Sequence, residues 1–198
     1  MDLERFKKDE NRVIVEVSAK HLHLSQEDVD ILFGPDHEFS VRRELKCDGA
    51  CVTSDSLEIQ YRDNSIKNVR VVLPLRDHSK VELSATDLFK LTKQPIFDDD
   101  GHQKTFTITV VGPMGQIFLE KVELVSMRHL HCTQEDADRL GIEDGDIVRV
   151  MTNGARSILF NNVLVRIEEG AVLTCHLDTD EGHAAGISRE GYGYLVRE

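Results

Sequence analysis

Two pairs of histidines, each separated by a single leucine, are the residues in this sequence best suited to chemistry. The segments 18–30 and 126–138 both contain His-Leu-His, and eight of their 13 paired positions are identical. Such an internal repeat predicts two similar structural halves. Residues two apart in an extended strand face the same side, so each pair directs two imidazoles toward one place. This arrangement is typical of metal ligands.

A catalytic zinc ion usually takes three protein ligands, so each histidine pair needs a third. Asn68 and Asn162 open equivalent strands in the two halves, and an isolated polar residue follows each of them by 14 positions: Glu82 and His176. Imidazole and carboxylate ligands suit Zn²⁺ best, with other divalent transition metals as alternatives. We therefore predict two metal sites, made of His21, His23 and Glu82 in one half and of His129, His131 and His176 in the other.

Each of these residues also has an ordinary interpretation. A single His-x-His is more often a pair of exposed histidines without a function than a metal site, and a solvent-facing glutamate in a strand is common. The duplication with matched third positions favours the metal interpretation. Cys132 and Cys175 adjoin proposed ligands, but strand alternation sends them to the opposite face, so we expect them to be small buried residues.

The hydrophobic pattern indicates a mainly β protein of many short strands. The segments 157–160 and 163–166, for example, are expected to form two strands that pair with each other. Ser25 and Thr133 are typical helix caps that follow the histidine pairs. We predict two small β-barrel domains in tandem, related by the internal repeat and carrying short capping helices. The expected boundaries are a charged lead-in at 1–12, halves at 13–92 and 106–198, and a linker at 93–105, with strands free to cross between the halves.

Composition narrows the range of partners and compartments. The 198 residues carry a formal net charge of -12, which argues against nucleic acid or an anionic membrane as the main partner. No apolar run reaches the ~20 residues of a membrane span, and the charged start does not resemble a signal peptide. Four irregularly spaced cysteines are expected to be reduced thiols in a cytoplasmic protein.

Cations beside the motifs indicate the charge of a ligand. Arg76 lies six residues before Glu82, and Lys20 and Arg128 directly precede the two histidine pairs. In so acidic a chain, cations near a metal site favour an anion, and arginine can bind phosphate or carboxylate with two hydrogen bonds. The alternative is that Arg76 pairs with a nearby aspartate at the surface.

Together these motifs resemble those of the phosphate propanoyltransferase family, a group of phosphotransacylases. The similar text includes Val-Ser-x-x-His-Leu-His-Leu-Ser, Pro-Leu-Arg, Val-Glu-Leu-Ser-x-Thr-Asp and His-Leu-Asp-Thr-Asp-Glu. Its segments keep a fixed order at 17–25, 68–70, 74–76, 81–87, 111–113, 128–131, 144–148, 162–166 and 176–181. The resemblance therefore covers nearly the whole chain from Val13 to Gly186.

The resemblance implies a dinuclear zinc enzyme of two β-barrel domains, with the six proposed ligands holding the metals. It implies reversible transfer of a short acyl group, propanoyl or acetyl, between coenzyme A and inorganic phosphate, with acyl phosphate as the other acyl carrier. Arg76 matches the phosphate-binding arginine of the family and is the predicted catalytic residue. Ser18 and Arg70 match residues that line the coenzyme A pocket. Without an evident Ser-His-Asp or Cys-His nucleophile, we expect phosphate to attack the thioester directly.

The resemblance also bears on location and assembly. Members of the family that work in bacterial microcompartments carry an amphipathic N-terminal peptide, whereas only 12 mostly charged or polar residues precede Val13. We therefore expect a cytoplasmic protein without a clear encapsulation peptide, while location in a bacterial microcompartment and a homodimer both stay open.

Two further functions stay open beside phosphate acyl transfer. The first is a zinc-dependent metallohydrolase, such as an acyl-CoA thioesterase. The second is a non-enzymatic, cupin-like metal-binding sensor, because His21-x-His23-x-x-x-Glu27 has the spacing of a cupin motif. The helix predicted to begin after Ser25 argues against the sensor, since it would turn Glu27 away from the metal.

Overall fold

Short strands with alternating burial make up much of the chain, as the hydrophobic pattern predicts. The computed structural model describes residues 7–45 and 50–196 and shows a mainly β protein with a few short helices. The strands are β1 (Arg12–Ser18), β2 (His21–His23), β3 (Val41–Glu44), β4 (Cys51–Tyr61), β5 (Asn64–Leu73), β6 (Lys80–Glu82), β7 (Phe106–Val111), β8 (Gln116–Val122), β9 (His129–Cys132), β10 (Ile147–Thr152), β11 (Leu159–Ile167), β12 (Thr174–Asp178) and β13 (Glu190–Val196). The helices are α1 (Gln26–Phe33), α2 (Ala85–Thr92), α3 (Gln134–Leu140) and α4 (Thr179–Ala184).

These elements fall into two units whose boundaries differ from the expected halves. The central unit contains 19–45 and 50–126, and the terminal unit contains 7–18 and 127–196. Strand β1 therefore belongs with the C-terminal residues, and the β7–β8 hairpin belongs with the central ones. Long-range strand pairing, which local patterning does not reveal, causes both differences. The expected linker 93–105 lies inside the central unit, and residues 1–6 of the expected lead-in lie outside the described residues.

The two sheets repeat one topology. The central sheet has the order β6-β2-β5-β4-β7-β8, with β3 added beside β4, and the terminal sheet has the order β12-β9-β11-β10-β13-β1. In both, the histidine strand runs antiparallel to one neighbour and parallel to the other. The terminal sheet closes into a barrel because β1 also pairs in parallel with β12. The predicted fold class of two barrel-like β units is confirmed.

A repeated bulge explains the strand predictions that are wrong, because Asn68 and Asn162 do not open strands but lie within β5 and β11. The segments 157–160 and 163–166 do not form two paired strands, because β11 contains the second half of the first segment and all of the second. Asn162 interrupts its regular backbone with a φ of 56°, and Asn68 does the same in β5 with a φ of 60°. Asparagine adopts this left-handed conformation more easily than most residues. The strand register shifts across both positions, so each asparagine marks a β-bulge.

The two predicted helices begin at the predicted residues. The hydroxyls of Ser25 and Thr133 accept hydrogen bonds from backbone amides three residues later, and α1 and α3 end before Gly34 and Gly141. Helices α2 and α4 were not predicted, and they follow the strands that carry the third proposed ligands. None of the helices among the described residues has the length and hydrophobicity needed to cross a membrane.

The core of each unit is built from the alternating apolar residues of its own strands. In the terminal unit, Val15, Leu130, Val165 and Leu177 are buried in one cluster. Cys132 and Cys175 lie in the same core, so the expectation that they are small buried residues is confirmed. The proposed ligands alternate with these core residues and occupy the opposite face of the strands.

Candidate metal centres

The strand register brings the proposed ligands together in each unit. On β2 and β6, His21 lies opposite Glu82, and on β9 and β12, His129 lies opposite His176. The second histidine of each pair is two residues further along the same strand. The third ligand position is thus fixed by antiparallel pairing and not by closeness in sequence.

The first set of ligands, which we call the central cluster, consists of His21, His23 and Glu82. One donor atom from each lies within 4.8 Å of the other two. The Nε2 atom of His21 is 3.6 Å from Oε2 of Glu82, and its Nδ1 lies 2.9 Å from the carbonyl oxygen of Ala19. If Nδ1–H donates to that carbonyl, Nε2 keeps the lone pair that a metal needs.

Burial and charge hold the central cluster in a ligand-competent state. Burial, with smaller effects of His21 and Arg76, lowers the pKa of His23 to about 4, so its imidazole is neutral near pH 7. Burial alone would raise the pKa of Glu82, but the charges of His21 and Lys80 outweigh it, and the pKa lies below its usual range. Lys80 Nζ is 2.8 Å from Oε1 of Glu82. The cluster therefore combines neutral imidazole with a carboxylate.

The second set of ligands, the terminal cluster, consists of His129, His131 and His176. Its donor atoms also lie within 4.8 Å of one another, and the three ring centroids are 4.7 to 5.2 Å apart. Nδ1 of His129 lies 2.9 Å from the carbonyl oxygen of Met127, which repeats the contact that His21 makes with Ala19. Nδ1 of His131 lies 3.0 Å from Oε2 of Glu168.

The terminal cluster is more deeply buried and contains no carboxylate of its own. His129 and His131 are each 7% exposed. Burial, followed by the charge of Arg166, lowers the pKa of His129 to about 3. Burial and His176 lower the pKa of His131, against the opposing charge of Glu168. Burial and neighbouring positive charge disfavour imidazolium in His129 and His131, so these two histidines offer lone pairs near neutral pH.

Arg76 is held next to the central cluster by its backbone. Its amide donates to the carbonyl oxygen of Leu24, 2.8 Å away and one residue beyond His23. The side chain is exposed, and its charge contributes to the lowered pKa of His23. Among the described residues Arg76 forms no ion pair, so the alternative surface pair with an aspartate does not occur there.

Lys20 and Arg128, the other two cations expected to bind an anion, form ion pairs with acidic side chains of the protein. Lys20 Nζ is 3.7 Å from Oδ2 of Asp87, and Arg128 Nε is 2.7 Å from Oε1 of Glu181. Asp87 and Glu181 lie in the first turns of α2 and α4, where acids also suit the helix dipole. Because α2 and α4 were not predicted from the sequence, the ion pairs with Asp87 and Glu181 were not predicted either.

The two residues expected to line a coenzyme A pocket belong to different units. Ser18 ends β1 in the terminal unit and lies opposite Asp178 of β12. Arg70 lies opposite His21 on β5 in the central unit, and its Nη1 donates to the carbonyl oxygen of Ser54.

Sequence reasoning missed two acidic residues beside the terminal cluster. Glu168 contacts His131, and Glu16 Oε2 lies 3.5 Å from Nε2 of His176. Glu16 is the lone charged residue in the segment 13–17, where an apolar residue would be ordinary, and this pattern was the available signal. Glu168 gives no such signal, because it follows the end of β11 in an acidic segment.

Two sets of histidine and carboxylate donors on a repeated β framework define a mainly β protein with two candidate metal centres. The family model of phosphate propanoyltransferase matches residues 14–188. A phosphate propanoyltransferase of Thermotoga maritima is 38% identical, over 93% of this chain and 89% of that protein. Those of Lachnoclostridium phytofermentans and Priestia megaterium are 38% and 36% identical, over 89% and 95% of this chain and 83% and 87% of the relatives. The chain belongs to the phosphate propanoyltransferase family and is an acyltransferase.

Proposed function

We propose that this chain transfers a short acyl group, propanoyl or acetyl, between coenzyme A and inorganic phosphate, with one zinc ion bound by each cluster. The family supports acyl transfer between these two carriers. The observation that carries the metal part is the repeated register, which gathers three donor residues in each unit.

The donors fit zinc in number and chemistry. Two imidazoles with one carboxylate, and three imidazoles, are both ligand sets of known zinc enzymes. Nδ1 of His23 is buried and has no hydrogen-bond partner among the described residues, so a ligand at that atom would satisfy it. The lowered pKa values of His23 and His129 keep both imidazoles neutral at physiological pH.

The proposed reaction needs a nucleophile, a polarised carbonyl and a stabilised leaving group. An oxygen of phosphate forms a bond to the thioester carbonyl carbon, the carbon–sulfur bond breaks, and the coenzyme A thiolate leaves and takes up a proton. When bound, zinc would supply Lewis acidity for the carbonyl or phosphate oxygen and a soft partner for the thiolate. Arg76 would bind phosphate and orient it for attack.

Direct transfer without an acyl-enzyme is supported by the state of the two cysteines next to the proposed ligands in sequence. Burial raises the pKa of Cys132 to about 11 and that of Cys175 to about 12. Thiols with such pKa values hold almost no thiolate at neutral pH, and both side chains lie in the core. Exchange of label between acyl-CoA and free coenzyme A without phosphate would contradict direct transfer.

We further propose that Ser18 and Arg70 contact coenzyme A. Arg70 offers a cation near His21, and its hydrogen bond to the carbonyl oxygen of Ser54 limits the motion of the guanidinium. Coenzyme A carries several phosphates, for which arginine is the preferred partner.

The experiment that tests the proposed function combines metal analysis with an activity assay. Purified full-length protein should contain about two zinc ions per chain, one for each three-ligand site. It should release coenzyme A from acetyl-CoA or propanoyl-CoA only when phosphate is present, and hydroxylamine should trap the acyl phosphate as a hydroxamate. Coenzyme A release without phosphate and without trapped acyl phosphate would indicate a thioesterase instead.

The cupin-like sensor alternative would require Glu27 as a metal ligand. Glu27 lies exposed in the first turn of α1 and is not among the central cluster residues. Zinc-loaded protein that stays inactive toward both acyl-CoA substrates would leave metal binding in place and exclude the enzymatic proposal.

A further inference from the structure

Glu16 is an acidic side chain buried beside the terminal cluster. It is 6% exposed, while its neighbours Val15 and Val17 pack in the core of the terminal unit. Strand alternation therefore puts Glu16 on the face opposite to that core, which is the face that carries the cluster histidines. A buried carboxylate at this position is costly unless a nearby group compensates it.

The strand register aligns Glu16 with the cluster. On neighbouring strands β1, β12 and β9, Glu16 lies opposite His176, which in turn lies opposite His129. Oε2 of Glu16 is 3.5 Å from Nε2 of His176. Among the described residues, the set of mutually close donors contains the three histidines and not Glu16. Glu16 therefore lies one strand further out, on the outer side of His176.

The other two histidines of the terminal cluster already have a partner at one ring nitrogen. The Nδ1 atoms of His129 and His131 face the carbonyl oxygen of Met127 and the carboxylate of Glu168. Their Nε2 atoms are thus left for a metal. In His176 it is Nε2 that faces a carboxylate, so this ring meets its acidic partner at the other nitrogen. A histidine that binds a metal through one nitrogen usually donates the other N–H to such a partner.

We propose that Glu16 is a positioning residue, which accepts the Nε2–H of His176 and thereby selects the tautomer that binds zinc through Nδ1. This inference rests on the proposed zinc site of the terminal cluster. A separation of 3.5 Å is at the limit of hydrogen-bond length. We expect it to shorten on zinc binding, because ligation makes the remaining N–H of His176 a stronger donor.

Charge explains why a carboxylate is useful at this place. The central cluster includes Glu82, which offsets part of the charge of a dication directly. The terminal cluster offers three imidazoles, which bring no negative charge to a metal, so negative charge has to come from residues outside the ligand set. Glu16 supplies it from a buried position and Glu168 from an exposed one, and an ionic interaction is stronger where water is excluded.

The tautomer is tested on the unaltered protein. Full-length chain with ¹⁵N-labelled histidine is loaded with zinc, and two-bond ¹H–¹⁵N spectra identify the metal-bound nitrogen of each ring. We expect Nδ1 for His176 and Nε2 for His129 and His131. Coordination of His176 through Nε2 would overturn the proposal, and this measurement does not depend on the folding of any variant.

Zinc affinity gives a second, independent readout. In a His23→Ala background, which disables the central cluster, zinc is titrated in competition with a chromophoric chelator. Glu16→Gln should weaken binding by about tenfold to a hundredfold, the usual effect of removing such a partner. Glu169→Gln, which changes an exposed carboxylate of the same unit, is the matched control and should bind as tightly as the background.

The outcomes separate this inference from the proposed function. If the terminal cluster of the unaltered chain binds no zinc, both proposals fail. If it binds zinc and Glu16→Gln stays within about twofold of the background, well short of the effect expected for such a partner, only the role of Glu16 is overturned.

Discussion

In the central cluster, Glu82 occupies the place that His176 takes in the terminal cluster, on strands of the same order and register. The difference of one side chain moves the negative charge from inside the ligand set to its outside. Next to Glu82 lies the cation of Lys80. Around His176 the neighbour is the carboxylate of Glu16.

The duplicated backbone thus keeps three donor side chains close together in both units, while the charged residues next to them differ. Counting from the bulge asparagines, Arg76 corresponds to Gly170, and Lys80 corresponds to Thr174. Arg76 and Lys80 thus have no cationic counterpart at the equivalent positions of the terminal unit, whose own cation beside the cluster is Arg166. We expect the central cluster to contribute more to binding the anionic phosphate, and the terminal cluster to depend more on its outer carboxylates.

The largest effect should come from removing a ligand, which tests whether both clusters are needed. His23→Ala and His131→Ala should each lose about one zinc ion and lower the rate of coenzyme A release by more than about a hundredfold, because loss of a ligand exceeds loss of a supporting partner. Metal analysis and the phosphate-dependent assay measure both effects. His183→Ala, at an exposed position of α4, is the control. Full activity in either ligand variant would show that the cluster changed in that variant is not needed for the reaction.

A smaller effect should come from the cation that the central unit has and the terminal unit lacks. Arg76→Ala should lower kcat/KM for phosphate by about tenfold to a hundredfold, the value of a charge-assisted hydrogen bond. Its zinc content should not change, because Arg76 is not a ligand. Steady-state kinetics at varied phosphate and at varied acyl-CoA separate the two substrates. Arg62→Ala, on the exposed β4–β5 turn, is the control.

Loss of zinc from Arg76→Ala would contradict its assignment as a phosphate-binding residue. An equal loss of kcat/KM in Arg62→Ala would show that the effect of Arg76→Ala comes from the change in net charge and not from a specific phosphate contact.

The smallest effect should distinguish the two ion pairs that precede the histidine pairs. Arg128 contacts Glu181 at 2.7 Å and also donates to the carbonyl oxygen of Asn161, whereas Lys20 contacts Asp87 at 3.7 Å. Arg128→Met should lower the free energy of unfolding by about 1–2 kcal/mol, and Lys20→Met by about 0.5 kcal/mol, because the lysine pair is longer and has no second hydrogen bond like that of Arg128. Urea unfolding followed by circular dichroism measures both. Equal losses would mean that the pairs are equivalent.

The elements that depend on local chemistry were predictable. Ser25 and Thr133 predicted where α1 and α3 begin, because a capping hydroxyl binds backbone amides within the first helical turn. The same rule could have found α2 and α4 from Ser84-x-x-Asp87 and Asp178-x-x-Glu181, whose caps accept the expected amides. The prediction failed there because neither cap motif lies in the repeated segments 18–30 and 126–138, which contain Ser25 and Thr133.

Placement in the sheet was less predictable. The alternation of Val13, Val15 and Val17 indicated a strand, but not that β1 pairs with β12 and β13 near the other end of the chain. The pattern predicts two paired strands on either side of Asn162, and it does not reveal the bulge, since bulges and strand connections use the same residue types.

By itself, the sequence determined which residue types repeat, and the equal spacing from Asn68 to Glu82 and from Asn162 to His176 was enough to propose two ligand sets. Only the tertiary structure decided which side chains surround those sets. Glu16 precedes His176 by 160 positions in the chain and lies opposite it because β1 closes the terminal barrel. Pairing between distant strands depends on the burial of whole sheet faces, and no local pattern encodes it.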